Sequence, residues 1–225
     1  MLGSAEPEGE PMRTIMVMNA KGGCGKTTLA TNVATWFADD GARVAIADLD
    51  PQRSSLDWLD ARRDYTGIPE IHGVDGTGEA LRPPKGMDFL IYDVPAATHG
   101  RTVADLLRRV ETILLPVLPS PIDMRAARRF LEELLASGRV SKGRTKIGIV
   151  ANRVREQTLI YQRLEEFLGH LDLPVVSHLR ESQNYIRAAE RGLGIFELAP
   201  SLVYQDVVLW DPVIDWLSSS ASRPG

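Results

Sequence analysis

A glycine-rich segment, NAKGGCGKTT at residues 19–28, is the feature that most constrains how this chain can fold. It follows the apolar run IMVM at 15–18 and precedes LATNVA at 29–34, so it predicts a bend between a buried strand and a helix. In that setting, backbone N–H groups and a helix N-terminus hold phosphates. The strict P-loop pattern G-x-x-x-x-G-K-[ST] needs glycine where this chain has Ala20, and a second lysine, Lys21, follows directly. The segment therefore predicts a phosphate-binding loop with an altered first half.

The rest of the chain alternates short apolar runs with helical patterns. Strands are predicted at 13–18, 43–49, 87–93, 112–118, 146–151 and 174–177, with a weaker one at 70–74. Helices are predicted from the loop to about residue 39, after a cap at Ser54 or Ser55, after a cap at Ser120, and at 158–168, 183–191 and 203–217. Such alternation is typical of right-handed βαβ units. We predict an α/β fold: a mainly parallel twisted sheet with helices on both faces, in three α/β/α layers.

Length and composition indicate a single globular domain. The chain has 225 residues, of which 44% are apolar and 25% charged, and this suits one α/β domain with a sizeable core. We expect that domain at 13–217, between a disordered leader at 1–12 and a disordered tail at 218–225. The leader is acidic and polar, unlike a signal peptide, and no run of about 18 apolar residues occurs. A cytoplasmic location is therefore expected.

Polar side chains end several of the predicted strands. Asp48 and Asp50 end the second strand, and Asp93 and Asn152 follow two others. Ligands of parallel α/β sheets bind at the carboxyl ends of the strands, so these residues are expected to share one site. Asp93 can hold Mg²⁺ directly or through water. One of the first two carboxylates is expected to be catalytic, and we favour Asp50; the alternative is that it only starts a turn.

The residues of the glycine-rich segment have expected roles. Its glycines would let the backbone wrap a triphosphate closely. Lys26 would reach the β- and γ-phosphates, and the Thr27 hydroxyl would ligate Mg²⁺. Cys24 is expected to fill a variable position, and as a lone cysteine it forms no intramolecular disulfide. The predicted nucleotide-binding residues here are Gly22, Gly23, Cys24, Gly25, Lys26, Thr27 and Thr28. No metal other than nucleotide-borne Mg²⁺ is expected.

Basic residues are concentrated in two stretches. The net charge of −4 neither announces nor excludes nucleic-acid binding, but residues 122–146 hold seven basic against three acidic side chains. Such a face would bind double-stranded DNA nonspecifically and with strong salt dependence. The alternative is an ordinary solvated helix face. The candidate DNA-binding residues are Arg128, Arg129, Arg180, Arg187 and Arg191.

Three motifs resemble those of the ParA/MinD family of ATPases, which carry a deviant P-loop. They are KGGCGKTT at 21–28, DLDPQRSS at 48–55 and FLIYDVP at 89–95, and their order and spacing match the family. Lys21 occupies the place of the family's signature lysine, so Ala20 is expected. Two departures are RSS after DPQ and Val-Pro-Ala where Cys-Pro-Pro is usual.

The resemblance implies ATP and Mg²⁺ as cofactors and a homodimer that closes face to face around two ATP molecules. Lys21 would then cross to the partner's phosphates and act in catalysis with Lys26 and Asp50. Thr27, Asp93 and Asp50 would lie at the metal. Asn152 resembles part of the family's adenine-side segment, and residues 179–197 resemble its segment with DNA-contacting arginines. A separate adaptor protein would stimulate slow hydrolysis.

Several readings stay open. The cargo can be a plasmid, a chromosome or a protein body such as a carboxysome. Nonspecific DNA binding would make the protein nucleoid-associated. A metabolic ATP-dependent ligase on the same fold is an alternative, as is a MinD-like membrane-associated ATPase. The predicted helix at 203–217 carries three aspartates and no lysine or arginine, which argues against attachment to anionic lipid. His99 can either approach a γ-phosphate or be an ordinary loop histidine.

Overall fold

The computed structural model describes residues 11–78 and 81–225, so the predicted leader lies outside the described residues except for Pro11 and Met12. The strands are β1 (Arg13–Val17), β2 (Val44–Asp48), β3 (Ile71–Asp75), β4 (Phe89–Asp93), β5 (Thr112–Val117), β6 (Lys146–Val154) and β7 (Val175–Arg180). They form one parallel sheet with the order β3-β2-β4-β1-β5-β6-β7. This order places β1, and hence the loop that follows it, at the centre of the sheet.

Helices connect the strands and cover both faces of the sheet. They are α1 (Lys26–Asp39), α2 (Ser54–Arg62), α3 (Arg101–Leu107), α4 (Pro121–Leu135), α5 (Gly138–Ser141), α6 (Leu159–Gly169), α7 (Gln183–Ala189), α8 (Pro200–Val207) and α9 (Asp211–Ser218). Helices α3, α4 and α6 pack on one face, and α1, α2 and α9 pack on the other. The central strands are buried on both sides, which explains their continuous apolar runs. The predicted three-layer α/β/α fold is confirmed.

Side-chain caps fix where several helices begin. The Ser120 hydroxyl accepts the backbone N–H of Asp123 at the start of α4, as the sequence predicts. Thr158 and Ser182 cap α6 and α7 in the same way. Helix α2 differs, because neither predicted serine caps it. The Asp48 carboxylate, at the end of β2, accepts the N–H of Ser55 instead.

The C-terminal part departs from prediction in two places. The helix predicted at 203–217 is two helices, α8 and α9, because the chain turns at 208–210 and Pro212, which has no N–H, lies in the first turn of α9. The tail predicted as disordered instead forms a 3₁₀ turn at Ser220–Ser222. Ser222 is buried, and its hydroxyl accepts a hydrogen bond of 2.5 Å from the Arg13 guanidinium. This contact ties the tail to the amino end of β1.

Candidate nucleotide site

The glycine-rich loop connects β1 to α1 and takes a shape that glycine permits. Gly23 and Gly25 have φ angles of 76° and 93°, in the left-handed region that side chains adopt poorly. A Cβ atom on Gly25 would lie only 2.3 Å from the amide nitrogen of Asn152. That amide donates a 2.7 Å hydrogen bond to the carbonyl of Cys24. Asn152, expected on the adenine side, therefore supports the loop directly in this structure.

The two lysines of the loop have different surroundings. Lys26 is buried, and its ammonium donates to the carbonyl of Lys21 at 3.2 Å. The Lys21 side chain is exposed, and it forms no ion pair with any residue that the structure describes. Cys24 is buried and its thiol donates to the same carbonyl, while burial raises the pKa of the thiol. A protonated, enclosed thiol suits the space-filling role expected of this cysteine.

The two carboxylates at the end of β2 are not equivalent. Asp48 is fully buried and accepts hydrogen bonds from the backbone N–H groups of Asp50, Ser55 and Leu56, so it is committed to holding this turn. Asp50 is half-buried and lines the cleft beside the loop. Its carboxylate accepts only the N–H of Gln52 among the described residues. The geometry therefore supports Asp50, of the two, as the residue available to a bound nucleotide.

Asp93 carries a buried carboxylate whose charge is only partly compensated. It is 2% exposed, and its Oδ2 atom has no hydrogen-bond partner among the described residues. Burial raises the pKa of Asp93 to about 6, although the Thr27 hydroxyl and the Lys26 charge oppose the rise. A divalent cation would satisfy such an oxygen. Mg²⁺ prefers oxygen ligands, and the adjacent carboxylate and hydroxyl of Asp93 and Thr27 fit it.

Two connected clefts lie at the carboxyl edge of the sheet. The first, about 500 Å³, contains the predicted loop glycines, Lys26, Thr27, Thr28, Asp50 and Asp93. The second, about 230 Å³, is lined by Asn152 and by α7 side chains that include Tyr185 and Ile186. Gly25, Thr28 and Arg153 belong to both clefts. Because the two clefts share these residues, we treat them as one groove; it contains the predicted phosphate, metal and adenine-side residues except Lys21 and Cys24.

Sequence patterns missed several residues of this groove. Arg53, Ala97 and Arg153 are the non-glycine residues with positive φ in the described chain. Arg53 and Ala97 lie in the loops after β2 and β4, and Arg153 lies near the carboxyl end of β6 and lines both clefts. Strained backbone of this kind concentrates at functional sites. Residue type gives little warning of it, because left-handed φ is unusual for arginine and alanine. The groove residues that we did not predict as site residues are Gln52, Ser54, Pro95, Ala96, Arg153, Glu181, Ser182, Gln183, Tyr185, Ile186, Ala189 and Glu190.

The predicted DNA-binding arginines fall into two separate groups. Arg128 and Arg129 lie on α4, which packs on one face of the sheet, whereas α7 carries Arg187 and packs through Tyr185 on the other face. Arg180 donates to the buried carboxylate of Asp206 at 2.6 Å. Arg128 also stacks over the Phe167 ring. Arg180 is therefore engaged within the protein, while Arg129, Arg187 and Arg191 are exposed.

His99 does not line the phosphate cleft. Its Nδ1 atom lies 2.9 Å from a carboxylate oxygen of Glu133 on α4, and its ring packs nearly perpendicular to the Phe130 ring. The structure thus favours the ordinary loop histidine over the γ-phosphate contact. Separately, none of the helices in the described part of the chain is long and apolar enough to cross a membrane.

A glycine-rich loop at the centre of a parallel α/β/α sheet, with Lys26, Thr27 and Asp93 gathered beside it, defines a P-loop nucleotide-binding protein. Residues 15–195 match the family described as the CobQ/CobB/MinD/ParA nucleotide binding domain. The chain belongs to this family, and the resemblance to ParA/MinD ATPases is confirmed.

Individual relatives agree with this assignment. The "maintenance of carboxysome distribution protein A" of Halothiobacillus neapolitanus is 28% identical over 190 residues, covering 82% of this chain and 87% of the relative. A putative plasmid partition protein of Borrelia burgdorferi, solved with AMPPNP, has a TM-score of 0.69 at 14% identity and covers 91% of this chain and 99% of its own. The septum site-determining protein MinD of Pyrococcus horikoshii, solved with Mg-ADP, has a TM-score of 0.67 at 17% identity. The match covers 94% of this chain and 98% of the MinD chain.

Proposed function

We propose that this chain is an ATPase that positions cargo by ATP-dependent dimerisation and slow hydrolysis. Its cargo is DNA or a cytoplasmic body such as a carboxysome, and nonspecific binding to nucleoid DNA supplies the surface along which the cargo is placed. A separate adaptor protein stimulates hydrolysis. The observation that carries the proposal is the division between the two loop lysines. Lys26 is buried at the cleft, whereas Lys21 is exposed and forms no ion pair with any described residue.

The groove residues suggest how the reaction is divided among them. Lys26 and the loop N–H groups hold the β- and γ-phosphates, and Thr27 with Asp93 holds Mg²⁺, which would neutralise charge on the phosphates. Asp50 orients the attacking water, because it is the uncommitted carboxylate of its turn. Lys21 of each subunit completes the site of the other. A site finished by a second subunit makes hydrolysis dependent on the dimer.

Replacing Asp50 with alanine should slow hydrolysis by about 10²- to 10⁴-fold, the range for loss of a group that handles the water proton. ATP binding should persist, since the loop and its lysines are unchanged, so the dimer accumulates with ATP. Turnover of γ-labelled ATP and size-exclusion chromatography measure the two effects. Asp60→Ala is the control, because Asp60 is an exposed α2 aspartate whose one ion pair within the described residues is with Arg63. Normal turnover in Asp50→Ala would remove Asp50 from the mechanism.

DNA binding should appear with ATP, disappear with ADP or without nucleotide, and weaken steeply as salt rises. Co-sedimentation with double-stranded DNA across a salt series tests this. Because the two arginine groups lie on opposite faces of the sheet, paired variants separate them: Arg187→Ala/Arg191→Ala against Arg128→Ala/Arg129→Ala. Loss of one phosphate contact should lower the salt slope by about one. Salt-independent sedimentation, or equal binding in all nucleotide states, would contradict the proposed DNA role.

The metabolic ligase remains the second candidate function. It predicts turnover that rises with a small-molecule acid or amine and does not require a dimer, so a substrate screen with the monomeric protein distinguishes it. A MinD-like membrane role is disfavoured by α8 and α9, whose charged residues are Asp206, Asp211 and Asp215. Flotation with anionic vesicles and ATP checks this point. Binding to the vesicles would replace DNA with a membrane as the proposed surface.

A further inference from the structure

The loop that follows β4 runs along the phosphate cleft and contacts the glycine-rich loop. Pro95 and Ala96 line the cleft beside Asp93. The N–H of Ala97 donates a 3.0 Å hydrogen bond to the carbonyl of Ala20. Ala97 has a φ of 58°, a conformation that an alanine keeps only when its surroundings hold it. The position of this loop, residues 94–100, therefore depends on restraints at its ends.

One residue of α4 restrains the far end of the 94–100 loop. The Glu133 carboxylate receives the Gly100 N–H at 2.6 Å through Oε1 and contacts the His99 ring at 2.9 Å through Oε2. The same ring packs nearly perpendicular to the ring of Phe130, one turn earlier on α4. Partial burial raises the pKa of Glu133, but the hydrogen bonds from His99 and Gly100 outweigh it and leave the pKa below its ordinary value. The contact therefore favours an ionised carboxylate.

We infer that Glu133 is a positioning residue for nucleotide turnover: it holds the 94–100 loop against the glycine-rich loop by gripping His99 and the Gly100 amide. The inference rests on the proposed ATPase function. Glu133 touches neither cleft, so it acts only through the loop. Releasing it frees Ala97 to leave its strained conformation, which breaks the hydrogen bond to Ala20. The γ-phosphate end of the cleft then loses one wall.

The chemistry of the pair allows a conservative variant. Glu133→Gln keeps an oxygen for the Gly100 N–H and an amide group that can hydrogen-bond the His99 ring. It removes only the negative charge of the carboxylate.

Hydrogen–deuterium exchange of the full-length protein tests the inference without requiring hydrolysis. In Glu133→Ala, amides of the 94–100 loop should exchange on the order of tenfold faster or more, the effect of losing hydrogen bonds to a charged group. Glu133→Gln, which keeps both hydrogen-bond partners, should exchange more slowly than Glu133→Ala and close to wild type. Glu132→Ala is the matched control, since Glu132 is the neighbouring, exposed glutamate of α4.

Steady-state kinetics provide the second measurement. Glu133→Ala should lower kcat several-fold with little change in KM, because the glycine-rich loop and Lys26 still bind the nucleotide. The inference would be overturned if the 94–100 loop of Glu133→Ala exchanged no faster than that of Glu132→Ala. It would also be overturned if that loop exchanged faster but the kcat of Glu133→Ala were unchanged. A Glu133→Gln protein whose loop exchanges as fast as that of Glu133→Ala would also overturn it. If wild type hydrolyses no ATP, the proposed function fails, whereas the exchange result still decides whether Glu133 holds the loop.

Discussion

Replacing Lys21 with alanine should abolish ATP-dependent dimerisation while the monomer still binds ATP. Each hydrogen bond to a charged group contributes about 1.5–3 kcal/mol, and two-fold symmetry removes two such lysines from each dimer. The expected weakening of the dimer is about 10²- to 10⁴-fold. The monomer should still bind ATP because the Lys21 side chain is exposed and the substitution leaves the loop backbone unchanged. The backbone carbonyl of residue 21 still accepts hydrogen bonds from the Lys26 ammonium and the Cys24 thiol.

Light scattering coupled to size-exclusion chromatography, with ATP and with ADP, measures the dimer, and equilibrium dialysis measures nucleotide binding. Lys85→Ala is the control for loss of one exposed lysine. Lys26→Ala should behave differently from both, because removing the buried lysine of the cleft weakens nucleotide binding itself. A Lys21→Ala protein that dimerises normally with ATP would show that the lysine does not act across the interface.

Local signals account for the parts of the fold that the sequence predicts well. The Ser120 cap and the strand that ends at Asp93 depend on residues within a few positions of each other, so pattern alone locates them. The central place of the glycine-rich loop follows from the same patterns, because parallel βαβ units bring strand ends to one edge. The position of this carboxyl edge is therefore sufficient to predict that Lys26, Asp50 and Asp93 lie in one cleft.

Contacts between distant parts of the chain explain what the sequence leaves open. Asn152 supports the loop through a hydrogen bond to Cys24, 128 positions away. The buried Asp206 of α8 accepts a hydrogen bond from Arg180, the last residue of β7. Nothing in the local pattern around Arg180 distinguishes it from an exposed, DNA-facing arginine. The hydrogen bond between Glu133 and His99 also joins residues that are distant in sequence. Side-chain roles of this sort depend on tertiary placement, and only the structure provides it.

The choice between Asp48 and Asp50 shows how structure narrows a hypothesis that sequence leaves open. Both carboxylates end the same strand, and both are plausible neighbours of a γ-phosphate. Asp48 is buried, and its carboxylate accepts three backbone N–H groups of the turn that leads into α2, so it stabilises this turn. Asp50 is left with a single local hydrogen bond and a place in the cleft. The catalytic role of Asp50 stays a prediction, now with a structural reason for preferring it.

Replacing Asp93 with asparagine should stabilise the nucleotide-free protein and at the same time remove its response to Mg²⁺. The folded-state pKa of about 6 lies above the ordinary 3.8, so the folded protein holds this proton more tightly than the unfolded chain does. Ionisation therefore destabilises the fold, by about 3 kcal/mol at pH 8, and Asp93→Asn should recover an amount of that order. The gain should shrink as the pH falls through 6 and vanish below about 4.

Thermal unfolding with and without Mg-ATP separates the two effects. Wild type should gain stability from Mg²⁺ added to ATP, because the cation compensates the buried Asp93 carboxylate, and Asp93→Asn should gain stability from ATP alone. Asp48→Asn is the matched control of opposite sign. Its carboxylate accepts three backbone N–H bonds, so losing an acceptor there should destabilise the protein by about 1–3 kcal/mol. If Mg²⁺ stabilises wild type and Asp93→Asn equally, the cation is held elsewhere. If Asp93→Asn is less stable than wild type at pH 8, the Asp93 carboxylate is compensated in the folded protein.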